Sequence, residues 1–261
     1  MSLIITIYLN EGFVMAADSR TTFFNKQTIG TTTTISTIPF SDNARKIFIA
    51  PNNCGVATCG DSSYLNKPIE GFIQNFFNSK IKNDTAVLDL ANSITDYFTN
   101  LDLTKTTLFH ICGYELNEKN EYEAKLYFCT SGINKNVVQI DTMFQGALWN
   151  GETQALAKLL KPLIIDPIII DVPQLSLKIK EEDKTFDALV LEKNIVNYQG
   201  GCLIQWNLMN IADAIEFINF SFETTINYMK FQPVNKTVGG PIDILVIKPH
   251  KSKWIQKKVQ F

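Results

Sequence analysis

Histidine is scarce in this chain: there are two among 261 residues, His110 and His250. Neither falls in a Cys-x-x-Cys or His-Glu-x-x-His pattern, which argues against a zinc site, and no metal is expected. The five cysteines are an odd number in a chain too long to need disulfide staples. Cys54, Cys59, Cys112 and Cys129 stand in apolar, strand-like runs, so they read as buried, reduced thiols of a cytoplasmic protein. A basic excess is also missing, the formal charge being −2, so nucleic acid is not an expected partner. The most apolar stretch, Leu159 to Val172, is broken by Lys161, Pro162, Asp166, Pro167 and Asp171. It cannot span a membrane. The opening residues lack the cationic, apolar and small-residue order of a signal peptide. No Gly-x-Ser-x-Gly elbow and no phosphate-binding loop occurs, and no cofactor is expected.

What remains is an ordinary globular composition, 45% hydrophobic and 19% charged, long enough for one large core or two small domains. Leu3 to Leu9 and Phe13 to Ala17 are β-rich runs around a turn at Gly12. The Thr- and Ser-rich segment 21–43 reads as a long hairpin or loop, and Ile47 to Ala50 with Gly55 to Cys59 as a second strand pair. From Ser62 the period becomes helical, with Leu65, Ile69, Phe72, Ile73, Phe76 and Phe77 on one face and Ser62 or Ser63 as cap. A second helix from Thr85 carries Leu88, Ala91, Ile94, Tyr97 and Phe98. A meander follows over Thr106 to Tyr114, Tyr122 to Cys129 and Val137 to Gln145, with His110 as a core residue. Gly151 to Leu160 reads as a short helix. Met209 to Met229 is a longer one, burying Ala212, Ile215, Ile218, Phe222 and Ile226. Between these helices, a segment at about 162–205 mixes prolines, a charged run from Lys178 to Lys184 and strand-like Ala188 to Leu191. Ile242 to Ile247 is a closing strand, and the basic tail from His250 to Lys258 reads as a solvated end. Strands and helices do not alternate strictly, so antiparallel sheets with segregated helices fit best. The expected class is α+β: one domain over 1–261, with two sheets face to face and helix layers outside.

Ser2 directly follows the initiator methionine. Removing Met1 would leave one residue carrying both a hydroxyl and a free α-amine, a nucleophile and a general base together. Four strings reinforce this position: Gly12-Phe13-Val14-Met15-Ala16-Ala17-Asp18-Ser19-Arg20, Arg45-Lys46-Ile47-Phe48, Gly55-Val56-Ala57-Thr58-Cys59-Gly60-Asp61, and Val238-Gly239-Gly240-Pro241. In this order and at these distances from residue 2, the chain resembles the proteasome β-type family of N-terminal-nucleophile hydrolases, including its bacterial relatives. The pattern is clear over about a quarter of the chain.

The resemblance implies a four-layer αββα sandwich. It places Ser2 at the nucleophile, usually threonine in that family, Asp18 and Lys46 at its acid and lysine, and Gly60 at the oxyanion-facing N–H. It assigns Thr58 and Ser62 to the floor of the substrate pocket. It further implies a peptide or protein substrate, an acyl-enzyme intermediate and a homo-oligomer, ring or related assembly. Departures are as informative. Residues 21–45 form a longer segment than the family pattern, and the family's serine and aspartate beside the amine have no clean counterpart. Glu152 and Asn235 stand nearest to them in sequence. Two alternatives therefore stay open: an inactive scaffold subunit on the same fold, and an enzyme passing the acyl group to an amine rather than to water.

Overall fold

The computed structural model describes residues 2–29, 31–160, 204–233 and 235–258. Most of the expected segment at 162–205, including Lys178 to Lys184 and Ala188 to Leu191, lies outside the described residues. The chain forms two compact units, Met1–Thr153 with Gln205–Phe261, and Gln154–Ile204.

The first unit starts with two strands, β1 (Leu3–Leu9) and β2 (Gly12–Ala17), that are buried almost throughout. Such runs are stable only with apolar cover on both faces. A long hairpin follows, β3 (Thr21–Ile29) with β4 (Thr32–Ser41), forming a two-stranded sheet of its own. Next come β5 (Ile47–Ile49), β6 (Gly55–Gly60) and a small pair, β7 (Ser63–Tyr64) with β8 (Lys67–Pro68). That pair corrects the expected helix start. Leu65 and Asn66 adopt φ of 46° and 60°, a left-handed turn that no helix contains, so α1 runs only over Ile69–Lys80. Pro68 is its N-cap, with no side-chain cap bond, and Leu65 is exposed rather than on the apolar face.

α2 (Val87–Leu101) is followed by β9 (Thr107–Leu116), β10 (Tyr122–Thr130) and β11 (Asn136–Ile140), the expected antiparallel meander. In α2 the buried face is Val87, Leu90, Ala91, Ile94 and Phe98, whereas Leu88 is exposed. β12 (Gly146–Gly151) was not legible, because two glycines and an asparagine in six residues carry little strand propensity. Pairing with β1, from Leu3↔Gly151 to Tyr8↔Gly146, fixes it instead. The second unit begins with α3 (Gln154–Leu160).

In the first unit, α4 (Ile211–Lys230) opens with a capping box in which Asn210 accepts from the Asp213 N–H and Asp213 accepts from the Asn210 N–H. Its buried residues are Ala214, Ile218, Ser221, Phe222, Thr225 and Met229, so of the expected stripe Ile218 and Phe222 are buried, Ile215 and Ile226 are half-buried at its edge and Ala212 is exposed. β13 (Asp243–Lys248) and β14 (Lys251–Gln256) close the chain. The tail is thus a strand, and its last described residue, Lys258, is buried along its side chain at 5% exposure.

The class is α+β, with two five-stranded antiparallel sheets ordered β12-β1-β2-β13-β14 and β11-β10-β9-β6-β5. Ile4, Phe13, Met15 and Leu245 from the first sheet share a core with Ile47, Ala57, Cys112 and Leu126 from the second. Alternate residues of the second sheet, Val56, Ile111 and Tyr127, share a core with α1 and α2 residues such as Ile73, Phe76, Ile94 and Phe98. The period of two along each strand thereby serves two cores at once. α4 packs on β1 and β2.

One polar bridge crosses the inter-sheet core. The Thr6 hydroxyl on β1 lies 2.9 Å from His110 Nδ1, and His110 Nε2 lies 2.8 Å from Asn150 Oδ1 on β12. An amide oxygen only accepts, so Nε2 carries the proton and Thr6 donates to Nδ1. Both nitrogens of the neutral ring are satisfied. Burial pushes the His110 pKa down to about 4, with the Asn150 bond opposing the shift.

Candidate active site

The first turn of the chain is fixed from both sides. The Ser2 carbonyl accepts from the Glu152 N–H at 2.7 Å, and the next N–H, that of Leu3, donates to Asp18 Oδ1 at 3.1 Å. Gly151, at φ 99°, passes so close that a Cβ there would lie 1.7 Å from the Ser2 oxygen. Only glycine permits this approach.

Asp18 follows directly on β2 and is 1% exposed. A buried carboxylate must have its lone pairs matched, and here four donors do so. Oδ1 accepts from Leu3 N–H and from Lys46 Nζ at 2.7 Å. Oδ2 accepts from the N–H groups of Arg20 at 3.0 Å and Gly239 at 3.1 Å. Gly239, from the Val238-Gly239-Gly240-Pro241 string, is therefore a donor to the acid, and a Cβ there would meet the Arg20 guanidinium at 2.5 Å.

Lys46 precedes β5 and is itself 5% exposed. A second of its three donors goes to the Arg20 carbonyl at 2.7 Å. Burial lowers its pKa, and the Coulomb attraction and hydrogen bond of Asp18 work against that lowering. A lysine held in this balance gives up its proton more easily than a solvated one while still adding positive potential to its surroundings.

Gly60 ends β6 at φ 102°, where a Cβ would come within 2.6 Å of the Thr106 carbonyl oxygen. Its N–H direction follows from strand alternation. Thr58 N–H donates to Lys46 O at 2.9 Å, toward β5, and Asp61 N–H donates to Thr106 O at 3.0 Å, toward β9. Thr107, which faces Gly60 across the ladder, turns its own N–H and carbonyl to Ser131 on the other side. Gly60 N–H therefore points to the β5 edge, the side on which Lys46 sits.

Ser2, Lys46, Thr58, Gly60 and Ser62 all line one pocket of about 60 Å³. Asp18 stands behind it, touching the pocket through Lys46. All six residues expected from sequence thus gather around one place. Thr58 contributes a hydroxyl that is buried without a hydrogen-bond partner. Cys59 also lines the pocket, but burial pushes its thiol up to about 12, which keeps it protonated and a poor nucleophile.

Sequence reading missed the rim: Thr21, Arg45, Asp61 and Glu70 line the same pocket. Arg45 Nη1 and Glu70 Oε1 are 3.9 Å apart across it. The contact between Arg45 and Glu70 depends on where α1 begins, and the misplaced helix start hid it. Asn235 is exposed, and neither Asn235 nor Glu152 lines the pocket. Among the described residues, no group of three or more His, Cys, Asp or Glu could hold a metal ion. No described helix is long and apolar enough to cross a membrane.

No family model matches the chain, and no curated protein matches it. Among solved structures it is similar to an Anbu (Gly-1) mutant from Hyphomicrobium sp. strain MC1, with 13% identity and a TM-score of 0.49 over 98% of this chain and 87% of that one. At that level of likeness neither a family nor an activity transfers.

Proposed function

We propose that this chain is an N-terminal-nucleophile amidohydrolase or peptidase, with Ser2 as nucleophile once Met1 is removed. One observation carries the reading: a single carboxylate oxygen, Asp18 Oδ1, binds both the backbone next to Ser2 and the Lys46 ammonium. The nucleophile's position and the cation beside it are set by the same atom. The α-amine takes the Ser2 hydroxyl proton, directly or through water, and Oγ bonds to a substrate carbonyl carbon. The carbonyl π-electrons move to oxygen, where Gly60 N–H donates to the developing charge, a contact worth about 3 kcal/mol where such donors have been removed. Collapse expels the leaving amine, which takes its proton from the Ser2 ammonium. Water then adds to the acyl-ester and releases the acid. Lys46 favours loss of the hydroxyl proton and lowers the amine's affinity for protons; Asp18 holds Lys46 in place.

Thr58 and Ser62 form the substrate floor in this reading, both lining the pocket beside Ser2 and Gly60. Peptides or proteins are the substrate class, in a cytoplasmic homo-oligomer built from a single αββα domain with the two sheets between helix layers. The packing of α4 on one sheet and of α1 and α2 on the other supports that layering.

Intact mass and N-terminal sequencing of native protein, followed by an epoxyketone or β-lactone probe, test the proposal. Expected are a chain starting at Ser2 and a covalent adduct there that disappears in Ser2→Ala. A retained Met1 in native protein would sink the free-amine mechanism. A scaffold subunit is the second reading, favoured by the absence of Glu152 and Asn235 from the pocket. It predicts full processing without labelling or turnover.

A further inference from the structure

A second buried ion pair lies behind the pocket. Lys258, two residues beyond β14, places its Nζ 2.5 Å from Asp243 Oδ2, with the side chains 5% and 3% exposed. The other Asp243 oxygen accepts the Lys258 N–H at 2.9 Å. The remaining two ammonium donors go to Ser19 Oγ at 2.8 Å and to Ala44 O at 2.8 Å. All three protons of the ammonium are thereby used, and none is left for a ligand.

The partners chosen are the neighbours of the proposed machinery. Ser19 follows Asp18, its N–H donates to Gly239 O at 3.1 Å, and its hydroxyl donates to Pro241 O at 2.6 Å. Ala44 precedes Lys46 by two residues, lines the pocket, and donates its N–H to Ser19 O at 2.9 Å. Three stretches of chain that are remote in sequence therefore converge on one ammonium: 18–20, 44–46 and 239–243. These supply Asp18, Lys46 and the Gly239 donor.

We propose that Lys258 is a positioning residue of the pocket, an internal fastener from the end of the chain that holds the segments bearing Asp18 and Lys46 in register. It does not line the pocket, so it acts only through its neighbours. Its charge acts there too. Burial is the main cause lowering the Lys46 pKa, Asp18 and Cys59 oppose it, and Lys258 adds to the lowering; Asp42 is a further charged group coupled to Lys46. Lys258 is the only other ammonium among these groups, and its removal leaves Asp18 less opposed. The significance of the fastener rests on the hydrolase reading, but its test needs no turnover.

The test uses the full chain with Lys258→Met/Asp243→Asn, which removes both charges together so that neither is left buried alone. Two measurements are made on folded protein: titration of Lys46 Nζ by NMR of lysine-labelled protein, and amide exchange at Ala44 and Thr58. Expected are exchange at those two amides accelerated by roughly tenfold or more relative to β10 and β11 and, in Lys258→Met alone, where one positive charge is lost uncompensated, a Lys46 midpoint moved upward. A merely structural tail would lower global stability and leave the Lys46 midpoint where it was. That result overturns the proposal. Should the double variant fail to fold, Lys258→Arg carries the test. Arginine keeps the charge but not the tetrahedral three-way grip, so the Lys46 midpoint stays low while Ala44 exchanges faster; unchanged exchange there overturns the proposal. If probe labelling of Ser2 is absent in the wild type, the hydrolase reading fails, and the Lys46 and exchange data still decide whether Lys258 positions these segments.

Discussion

Acid should weaken this fold before its carboxylates titrate, because the inter-sheet core contains one neutral histidine. His110 is completely buried, its two ring nitrogens are matched by Thr6 and Asn150, and its pKa is pushed down from 6.5 to about 4. Above pH ~6.5 the ring is neutral whether the chain is folded or not, and it contributes no pH dependence. As pH falls, the unfolded chain takes up a proton that the folded chain refuses until near its own value of about 4. The unfolded state binds more protons throughout that window, so stability is lost as pH falls. At about 1.4 kcal/mol for each tenfold change in proton affinity, the total loss is about 3 kcal/mol, of which about 2 kcal/mol is gone by pH ~5. Urea unfolding at pH ~7.5 and ~5 measures this, with an expected fall in midpoint of about 1 M for an m-value of about 2 kcal/mol/M. His110→Gln keeps a polar group in the core without a titrating one. Its baseline stability will be lower, but the difference between the two pH values should shrink by about 2 kcal/mol. An undiminished pH difference in the variant would show that the imidazole is not the group responsible.

Asp18→Asn leaves the buried Lys46 ammonium without its carboxylate and turns an amide donor toward groups that are themselves donors. A loss of about 3–5 kcal/mol in urea unfolding is expected; a loss under about 1 kcal/mol would mean the pair is not buried as described. Gly60→Ala forces a side chain onto φ 102° and to within 2.6 Å of the Thr106 carbonyl oxygen. The expected cost is about 2 kcal/mol or more, seen as a fall in Tm of roughly 5 °C, and an unchanged Tm would argue against the positive φ.

Periodicity located elements wherever one kind of neighbour decided them. β1 and β2 could be read because continuous apolar runs demand cover on both faces, and the meander β9 to β11 because polar turns separate its strands. The errors occur where tertiary contacts outweighed local signals. α1 starts late because Leu65 and Asn66 are spent in a left-handed turn that orders the β7–β8 pair. β12 exists because β1 needs a partner, although its own residues favour no strand. The stripe of α4 was located at Ile218 and Phe222, but small and hydroxyl residues complete its buried face, Ala214, Ser221 and Thr225, which hydrophobic spacing alone does not mark.

The site divides along a different line. Ser2, Asp18, Lys46 and Gly60 were singled out because the short strings around Asp18, Lys46 and Gly60, at their distances from residue 2, resemble a known family; taken alone, each residue has an ordinary structural reading, such as an acid closing a strand or a lysine opening one. Lys258 had no such signal. In sequence it is one cation in a basic tail, and only the convergence of Ser19, Ala44 and Asp243 on its ammonium separates it from Lys251, Lys253 and Lys257. The two lysines differ in kind as well. Lys46 commits two donors, to Asp18 and the Arg20 carbonyl, and lines the pocket; Lys258 commits all three and does not line it. A buried ammonium with a donor to spare is placed to influence a reaction, whereas one fully spent can only hold its neighbours still. That contrast, set by hydrogen-bond stoichiometry rather than by residue type, is why the proposed reactive role falls to Lys46 and the proposed positioning role to Lys258.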